Sequence, residues 1–225
     1  MSGMKDEHTP RTLQRNYGGE APELRMARRR ARFIEAGAVL FSRIGYRKTT
    51  MRALCTEAGL TDRYFYESFA SIEDLLVAVY EELMGEMQGS IMVALQEAGP
   101  GRDTDALIDT GLDAFFRQVE NTAAARVIWL EVLGVSPRVD QVYNRGLRGF
   151  AEFMLMLSRT VAPQWPVPDE IARVVAMGMI GAASEAAKDW LMSGYQRPRE
   201  HLVRGIAMIF KGILLVTKAA PDQVD

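Results

Sequence analysis

Residues 49–69 read TTMRALCTEAGLTDRYFYESF, and this stretch decides the fold. Four residues recur at helical spacing on one face of a first short helix: Met51, Leu54, Cys55 and Ala58. Gly59 suits a left-handed turn because it lacks a Cβ atom. A second helix is predicted from Thr61 to Phe69. The pattern indicates a helix-turn-helix that presents the outer face of its second helix to a DNA major groove.

The second helix supplies the candidate base-reading residues. Phe65 and Phe69 fall on the side that faces a core, which leaves the early outward positions for base edges: Thr61, Asp62, Arg63 and Tyr64. Thr61 can also cap the helix, and Asp62 can instead favour its positive N-terminus. The predicted phosphate contacts are Tyr46, Lys48, Thr50, Arg52, Tyr66 and Ser71. For Tyr66, packing on the preceding long helix is an equal alternative.

The distribution of charge and the positions of turn-forming residues divide the 225 residues into three parts. Residues 1–69 hold 13 Lys/Arg against 8 Asp/Glu, whereas residues 70–225 hold 14 against 21. A basic head on an acidic body suits one polyanion-facing end. We predict a flexible basic tail at 1–21, a helix-turn-helix domain at 22–70 and a helical body at 71–225. The expected class is all-α with about nine helices, one of them at 122–134, and an irregular proline-rich segment at 162–168.

Two further segments flank the helix pair, RFIEAGAVLFSRIGY at 32–46 and YFYESFASIEDLL at 64–76. With the pair, they resemble the tetracycline-repressor (TetR) family of bacterial transcription regulators, and AASEAAKDWL at 182–191 is similar to its penultimate helix. The resemblance implies an all-helical homodimer with an N-terminal DNA-binding domain and a C-terminal ligand-binding and dimerisation domain at 71–225. The chain departs from the family pattern at Arg63, where a small residue is common, and at Ile72, where lysine is common. The operator sequence is therefore left open.

The last two helices have the features of a dimer interface. The first is rich in small residues, and the second carries an apolar stripe: Gly178, Gly181, Ala182, Ala183 and Ala186, then Leu202, Ile206, Ile209, Ile213 and Leu214. Two such helices from each subunit can form a four-helix interface, although a monomer core is the alternative. A dimer would hold two recognition helices about 34–36 Å apart, the spacing of successive major grooves. The predicted partners are a double-stranded DNA operator and a second copy of the chain.

A small apolar effector of unknown identity is the third predicted partner. The candidate ligand-binding residues are methionines, aromatic residues and one carboxylate: Met87, Phe115, Trp129, Met154, Met177 and Glu185. Ordinary core packing competes for each apolar member. Glu131 and Glu185 lie in apolar runs, so each needs a ligand or a partner, and the candidate partners are Arg126, Arg145, Arg148 and Arg173. An effector between the long helices would tilt the fourth helix, which follows the recognition helix.

Other classes of protein are disfavoured. No apolar run approaches the roughly 20 residues that span a bilayer, so a soluble cytoplasmic protein without a membrane partner is predicted. Cys55, the sole cysteine, is read as a small hydrophobic residue, with a redox sensor as the alternative. His8 and His201 form no plausible dyad, and no catalytic residue, metal ligand or cofactor is predicted. The predicted function is a repressor released by its effector; the alternative is a regulator or architectural protein without one.

Overall fold

The computed structural model describes residues 21–161 and 166–219, and within these ranges the chain forms nine α-helices and no strand. The helices are α1 Pro22–Ile44, α2 Met51–Ala58, α3 Asp62–Tyr66, α4 Ile72–Glu97, α5 Thr104–Val119, α6 Thr122–Arg126, α7 Pro137–Val161, α8 Asp169–Met192 and α9 Arg199–Ala219. The predicted all-α class, with an N-terminal helix-turn-helix and a helical C-terminal domain, is confirmed. The predicted flexible tail, apart from Ala21, and residues 162–165 lie outside the described residues.

Helices α1, α2 and α3 pack into a small unit around fully buried side chains. The Phe33 and Phe65 rings meet edge to face with centroids 5.2 Å apart. Gly59 adopts the predicted left-handed conformation at φ +60°. Its backbone N–H donates hydrogen bonds to the last carbonyl oxygens of α2. A Cβ atom there would also lie 2.8 Å from Arg32 Nη2. The backbone conformation therefore favours glycine at the turn, whereas the flexible end of the Arg32 side chain can move aside for a Cβ atom.

The recognition helix α3 is shorter than predicted, since it ends at Tyr66 rather than Phe69. The physical reason lies in the next helix. Ser71 must be extended, at φ −154°, to accept a hydrogen bond from the Asp74 N–H at 3.1 Å and so cap α4. The predicted capping of α3 by the Thr61 side chain is wrong. Asp62 Oδ1 instead accepts a hydrogen bond from the Arg63 N–H at 2.8 Å.

The body is a bundle in which α4 packs on α5, α5 on α9 and α7 on α8. Five residues separate helix α4 from α3, and α4 also packs against α1, so it belongs structurally to both parts. None of the described helices combines the length and the apolar character that crossing a membrane requires. Whether residue 70 is the functional domain boundary stays a prediction.

The predicted helix at 122–134 is three residues too long and changes type, because α6 ends at Arg126 and a π-helical segment, Val127–Glu131, continues from it. A π turn holds one more residue than an α turn, which changes the faces on which the following side chains lie. Val127, Ile128 and Trp129 are all buried as a result, while Glu131 reaches the helix-turn-helix unit. Such turns occur often at functional sites.

Candidate functional site

The outer side of α3 is open to solvent at three of the four predicted base-reading residues: Thr61, Asp62 and Arg63. Among the described residues, none pairs with the Arg63 guanidinium through an ion pair or side-chain hydrogen bond. Tyr64 is different. It is half-buried, and the Arg29 guanidinium carbon lies 4.4 Å from its ring centroid. Tyr64 is therefore held against α1 and is less available to DNA than predicted.

Tyr66 is the more accessible tyrosine of α3, with 61% of its surface exposed. Its ring meets Phe65 edge to face at 5.5 Å, which orients it without covering it. The alternative of burial against the preceding long helix does not match this exposure. The structure thus leaves the Tyr66 hydroxyl able to contact a phosphate.

The arginines of α1 have a role that the sequence did not reveal. Arg29 Nη2 donates to Glu67 Oε2 at 2.6 Å, and the Arg30 guanidinium lies 5.2 Å from the Phe69 ring centroid. Both contacts fix the segment that follows α3. The sequence contains suitable partners, namely cations together with carboxylate and aromatic groups. The separation of 38 positions between Arg29 and Glu67 conceals which of them pair.

The predicted phosphate contacts fall into two groups. Lys48, Thr50 and Arg52 are exposed around the start of α2, where Thr50 also caps the helix by accepting a bond from the Ala53 N–H. Tyr46 and Ser71 are half-buried and engaged elsewhere. The Tyr46 ring packs against Phe41 at 5.8 Å. Burial raises the Tyr46 pKa, the charge of Glu73 raises it further, and Arg47 opposes the shift.

A partly open apolar cavity of about 110 Å³ lies between α4, α5, α7, α8 and α9. It brings together four of the six predicted ligand-binding residues: Met87, Phe115, Trp129 and Met154. The other two predictions, Met177 and Glu185, are wrong in placement. Helix α8 presents Met179, Ile180, Ala183 and Ser184 to the cavity, which turns positions 177 and 185 outward. The Glu185 side chain is 73% exposed and pairs with Lys188 at 3.7 Å.

One end of the cavity carries polar groups that the sequence analysis missed. Trp129 Nε1–H donates to Ser184 Oγ at 2.8 Å, and the Tyr80 hydroxyl donates to the Tyr143 carbonyl at 3.4 Å. Burial raises the pKa of Tyr143, a side-chain hydrogen bond with Ser184 lowers it, and Glu185 raises it. Burial also raises the Tyr80 pKa. Ser184 lies in a run of small residues, so its sequence context indicated helix packing and gave no sign of this cluster.

The π-helical segment joins the cavity to the helix-turn-helix unit. Glu131 Oε2 accepts a hydrogen bond from the Tyr46 N–H at 2.8 Å, and Arg126 lies 3.8 Å from Glu131 Oε1. Arg126 Nε also donates to the Ser42 carbonyl at 3.0 Å. Gly45, at φ +86°, allows the approach because its missing Cβ would lie 3.2 Å from Glu131 Oε2. Glu131 is therefore a junction residue, which decides between the two roles considered for it.

A second connection lies at the start of α4. Arg138, on α7, donates to Glu73 Oε1 at 3.1 Å and to Asp74 Oδ1 at 2.5 Å. Burial acts to raise the pKa of Asp74, but the hydrogen bonds from Arg138 and Ser71 bring it below its ordinary value. Arg47 Nη2 also donates to the Gly134 carbonyl at 3.2 Å. The body thus holds the turn after α1 and the start of α4 together.

The outer face of α8 and α9 exposes large apolar side chains, among them Val174 at 73% and Met208 at 71%. Ile209, Leu215 and Val216 extend this face along α9. The predicted apolar stripe is wrong in part, because Leu202 and Ile206 are buried within the subunit while Ile213 and Leu214 line the cavity. The periodic pattern identified an apolar helix without showing which side met which neighbour.

Two chemical alternatives receive no support from the described residues. Burial raises the pKa of the half-buried Cys55 thiol, and the charge of Asp62 raises it further, which disfavours the reactive thiolate. No group of three or more His, Cys, Asp or Glu side chains in the described ranges is arranged to hold a metal ion.

The sequence is similar to those of known bacterial proteins. Residues 33–79 match the model of bacterial regulatory proteins of the tetR family. Over 208 residues the chain is 21% identical to the HTH-type transcriptional activator FasR of Mycolicibacterium smegmatis, covering 91% of this chain and 92% of FasR.

Solved structures share the fold at low identity. The fatty acid degradation regulator FadR of Bacillus halodurans is 18% identical, with a TM-score of 0.65, over 85% of this chain and 96% of FadR. FadR of Bacillus subtilis, solved in complex with stearoyl-CoA, is 18% identical with a TM-score of 0.64 over 80% and 96%. A tetR-family regulator from Streptomyces coelicolor is 17% identical with a TM-score of 0.70 over 88% and 85%.

Proposed function

This chain belongs to the TetR family of bacterial regulatory proteins and is a DNA-binding transcription regulator, and from that premise we propose how it acts. It binds a palindromic operator as a homodimer, represses transcription there, and is released when a small apolar effector enters the cavity. The observation that carries the proposal is the exposed face of α3, with Arg63 unpaired among the described residues and the helix fixed from behind by α1. The function is binding and switching without catalysis.

Each residue predicted to contact DNA has a proposed role. Thr61, Asp62 and Arg63 contact base edges, because they lie at the exposed start of α3. Phosphate contacts come from Lys48, Thr50, Arg52 and Tyr66, whose side chains are exposed. We assign Tyr64, Tyr46 and Ser71 secondary roles because internal contacts engage them.

The exposed apolar face of α8 and α9 supports the homodimer. Contiguous apolar surface of this kind marks an interaction site in a water-soluble protein, and a second copy supplies the self-complementary face that two-fold dimers use. The pairing would hold two α3 helices at the spacing of successive major grooves, about 34–36 Å.

The size of the cavity supports the switch. Ligand pockets commonly measure about 300–1,000 Å³, whereas this cavity measures about 110 Å³. A larger occupant must therefore displace the lining, and the flexible side chains of Met84, Met87, Met154 and Met179 can yield. Trp129 lines the cavity and Glu131, two residues later, holds the Tyr46 N–H. Displacement of Trp129 is therefore transmitted through Glu131 to the helix-turn-helix unit, in addition to any tilt of α4.

The effector acts only through the difference between its affinities for the DNA-bound and released arrangements. A molecule with a hydrocarbon chain is the class we propose, because the lining is apolar and because FadR of Bacillus subtilis, a protein of similar fold, was solved with stearoyl-CoA. The sign of regulation depends on the position of the operator relative to the promoter, and FasR is named an activator. We place the protein with the chromosome in the bacterial cytoplasm.

The proposal is tested by selecting bound duplexes from a random DNA library with the purified full-length chain. We expect an inverted repeat, and an affinity whose logarithm falls linearly with log salt concentration, with a slope of about −0.9 per phosphate contacted. Absence of an enriched sequence, or a flat salt response, would contradict the proposed DNA contacts. Release of the selected duplex by a hydrocarbon-chain compound supports the effector; unchanged binding across such compounds favours the regulator without an effector.

A further inference from the structure

The cavity is elongated. On α4 its lining recurs along one face: Tyr80, Met84, Met87, Ile91 and Leu95. On α7 the facing stripe is Tyr143, Leu147, Phe150, Met154 and Leu157. At about 1.5 Å of rise per residue, each stripe runs for roughly 21–22 Å. A narrow, extended molecule fits such a lining better than a compact one.

None of the described residues that line the cavity has a charged side chain. Lys188 and Glu185, the nearby charged pair of α8, lie outside it and pair with each other. An ionised carboxylate or phosphate placed inside would lose its hydration without gaining a cation, which costs several kcal/mol or forces neutralisation. The lining therefore selects against an ionised group at any buried position.

The polar end of the cavity has a hydrogen atom to donate. Ser184 Oγ accepts from Trp129 Nε1–H at 2.8 Å, and the Tyr143 hydroxyl is near enough for Ser184 to lower its pKa against the effect of burial. The two hydroxyl groups carry two hydrogens, and even a hydrogen bond between them would use only one. At least one hydroxyl hydrogen is therefore free, because neither the Ser184 nor the Tyr143 hydroxyl donates a hydrogen bond to any other of the described residues. A ligand oxygen is the matching partner.

We propose that the cavity recognises an uncharged, chain-like molecule whose polar group is a hydrogen-bond acceptor, such as an ester or ketone oxygen, seated beside Ser184 and Tyr143. This inference rests on the proposed function, because it takes the cavity as the effector site. A charged carrier group attached to such a chain would have to remain outside. The hydrocarbon part lies along α4 and α7.

The charge rule is the expectation that the cavity excludes an ionised group. Three probes of equal chain length test it on the wild-type protein at pH 7: methyl decanoate, decanoate and decanoyl-CoA. Their affinities are measured by calorimetry, and release of the selected operator is recorded in parallel. We expect methyl decanoate to bind at least about tenfold more tightly than decanoate, a difference of about 1.4 kcal/mol. Equal or tighter binding of decanoate overturns the inference, because its ionised group would have to enter the lining together with the chain. If decanoate or decanoyl-CoA still releases DNA, the proposed effector function stands; if no probe binds, both fail.

Two glycine variants establish that the probe occupies this cavity. Gly111 lines it, and an added Cβ would make only ordinary contacts with Ile91 and Leu95 at 3.9 Å, so Gly111→Leu places its side chain in the ligand space. Gly89→Leu is the control on the exposed side of α4, where nothing lies within 4 Å. We expect Gly111→Leu to weaken methyl decanoate at least tenfold and Gly89→Leu to leave it unchanged. Equal behaviour of the two variants would place the ligand elsewhere.

Removal of both hydroxyls tests the polar end. The double variant Ser184→Ala/Tyr143→Phe is expected to weaken methyl decanoate by about 2- to 12-fold, which corresponds to one hydrogen bond of about 0.5–1.5 kcal/mol. Ser158→Ala removes a hydroxyl from the opposite end of the α7 stripe and serves as the control. Unchanged ester affinity in a folded double variant would remove Ser184 and Tyr143 from recognition. If that variant does not fold, the wild-type probe series still decides the charge rule.

Discussion

Arg63 and Arg29 show how differently two arginines of one domain can be used. Arg63 is exposed on α3 with its guanidinium unpaired among the described residues, whereas Arg29 binds Glu67 and lies over Tyr64. The sequence revealed both as cations near the helix pair. It could not reveal which of them faces inward, because that depends on how α1 crosses α3.

At this scale we predict that Arg63→Ala weakens binding to the selected operator by about 1–3 kcal/mol, the usual contribution of a good base contact. Competition with a scrambled duplex in a fluorescence-anisotropy assay measures both affinity and discrimination. Arg148→Ala removes an equal charge from the exposed side of α7 and should have little effect. Unaltered discrimination in Arg63→Ala would exclude Arg63 from base reading.

Glu131 gives a second prediction at the residue scale. Glu131→Ala leaves the Tyr46 N–H without its acceptor, so the free energy of unfolding should fall by about 1–3 kcal/mol. Glu131→Gln keeps an acceptor oxygen and should lose less. Urea denaturation measures both. We also expect the effector to release DNA less completely from Glu131→Ala than from the wild type; full release would show that the coupling runs through α4 alone.

Among the elements, the turn between α2 and α3 depends on Gly59. Gly59→Ala should lower the free energy of unfolding by about 1–2 kcal/mol, since an L-residue is strained in the left-handed region. Gly85→Ala, in the middle of α4 with nothing within 4 Å of the new methyl group, should raise it by about 0.5–1 kcal/mol. Chemical denaturation should therefore give opposite signs. A shift of the same sign in both would mean that the turn geometry is not what constrains Gly59.

Element boundaries were predictable wherever capping or breaking residues mark them. The sequence predicts helices from about Pro22 to Ile44, near 104–119 and from about Asp169 to Met192, and the structure has α1, α5 and α8 at these positions. The π-helical segment was not predictable, because it accompanies a contact between Glu131 and Tyr46, 85 residues apart. The same limit explains Met177 and Glu185. Periodicity indicates a helix face, whereas the neighbour that covers the face is set by the tertiary packing.

For the whole molecule, we predict that Val174→Asp dissociates the dimer, because the charge would be buried in the proposed interface. The dimer dissociation constant should rise at least about tenfold, and operator affinity should fall with it. Val93→Asp, at a 51% exposed position on α4, is the matched control. Analytical ultracentrifugation measures the association. A Val174→Asp protein that remains dimeric would move the interface away from α8.

The hydrogen bond between the Glu131 carboxylate and the turn after α1 has a practical consequence for chimeric regulators. A reading head cut out at residue 70 and grafted onto a foreign effector domain would leave behind Glu131, Arg126 and Arg138. The Tyr46 N–H would then have only water as its hydrogen-bond acceptor. No contact would fix the angle between the grafted DNA-binding domain and the foreign effector domain. Transplants that carry residues 126–138 along with the head should keep their responsiveness where shorter grafts lose it.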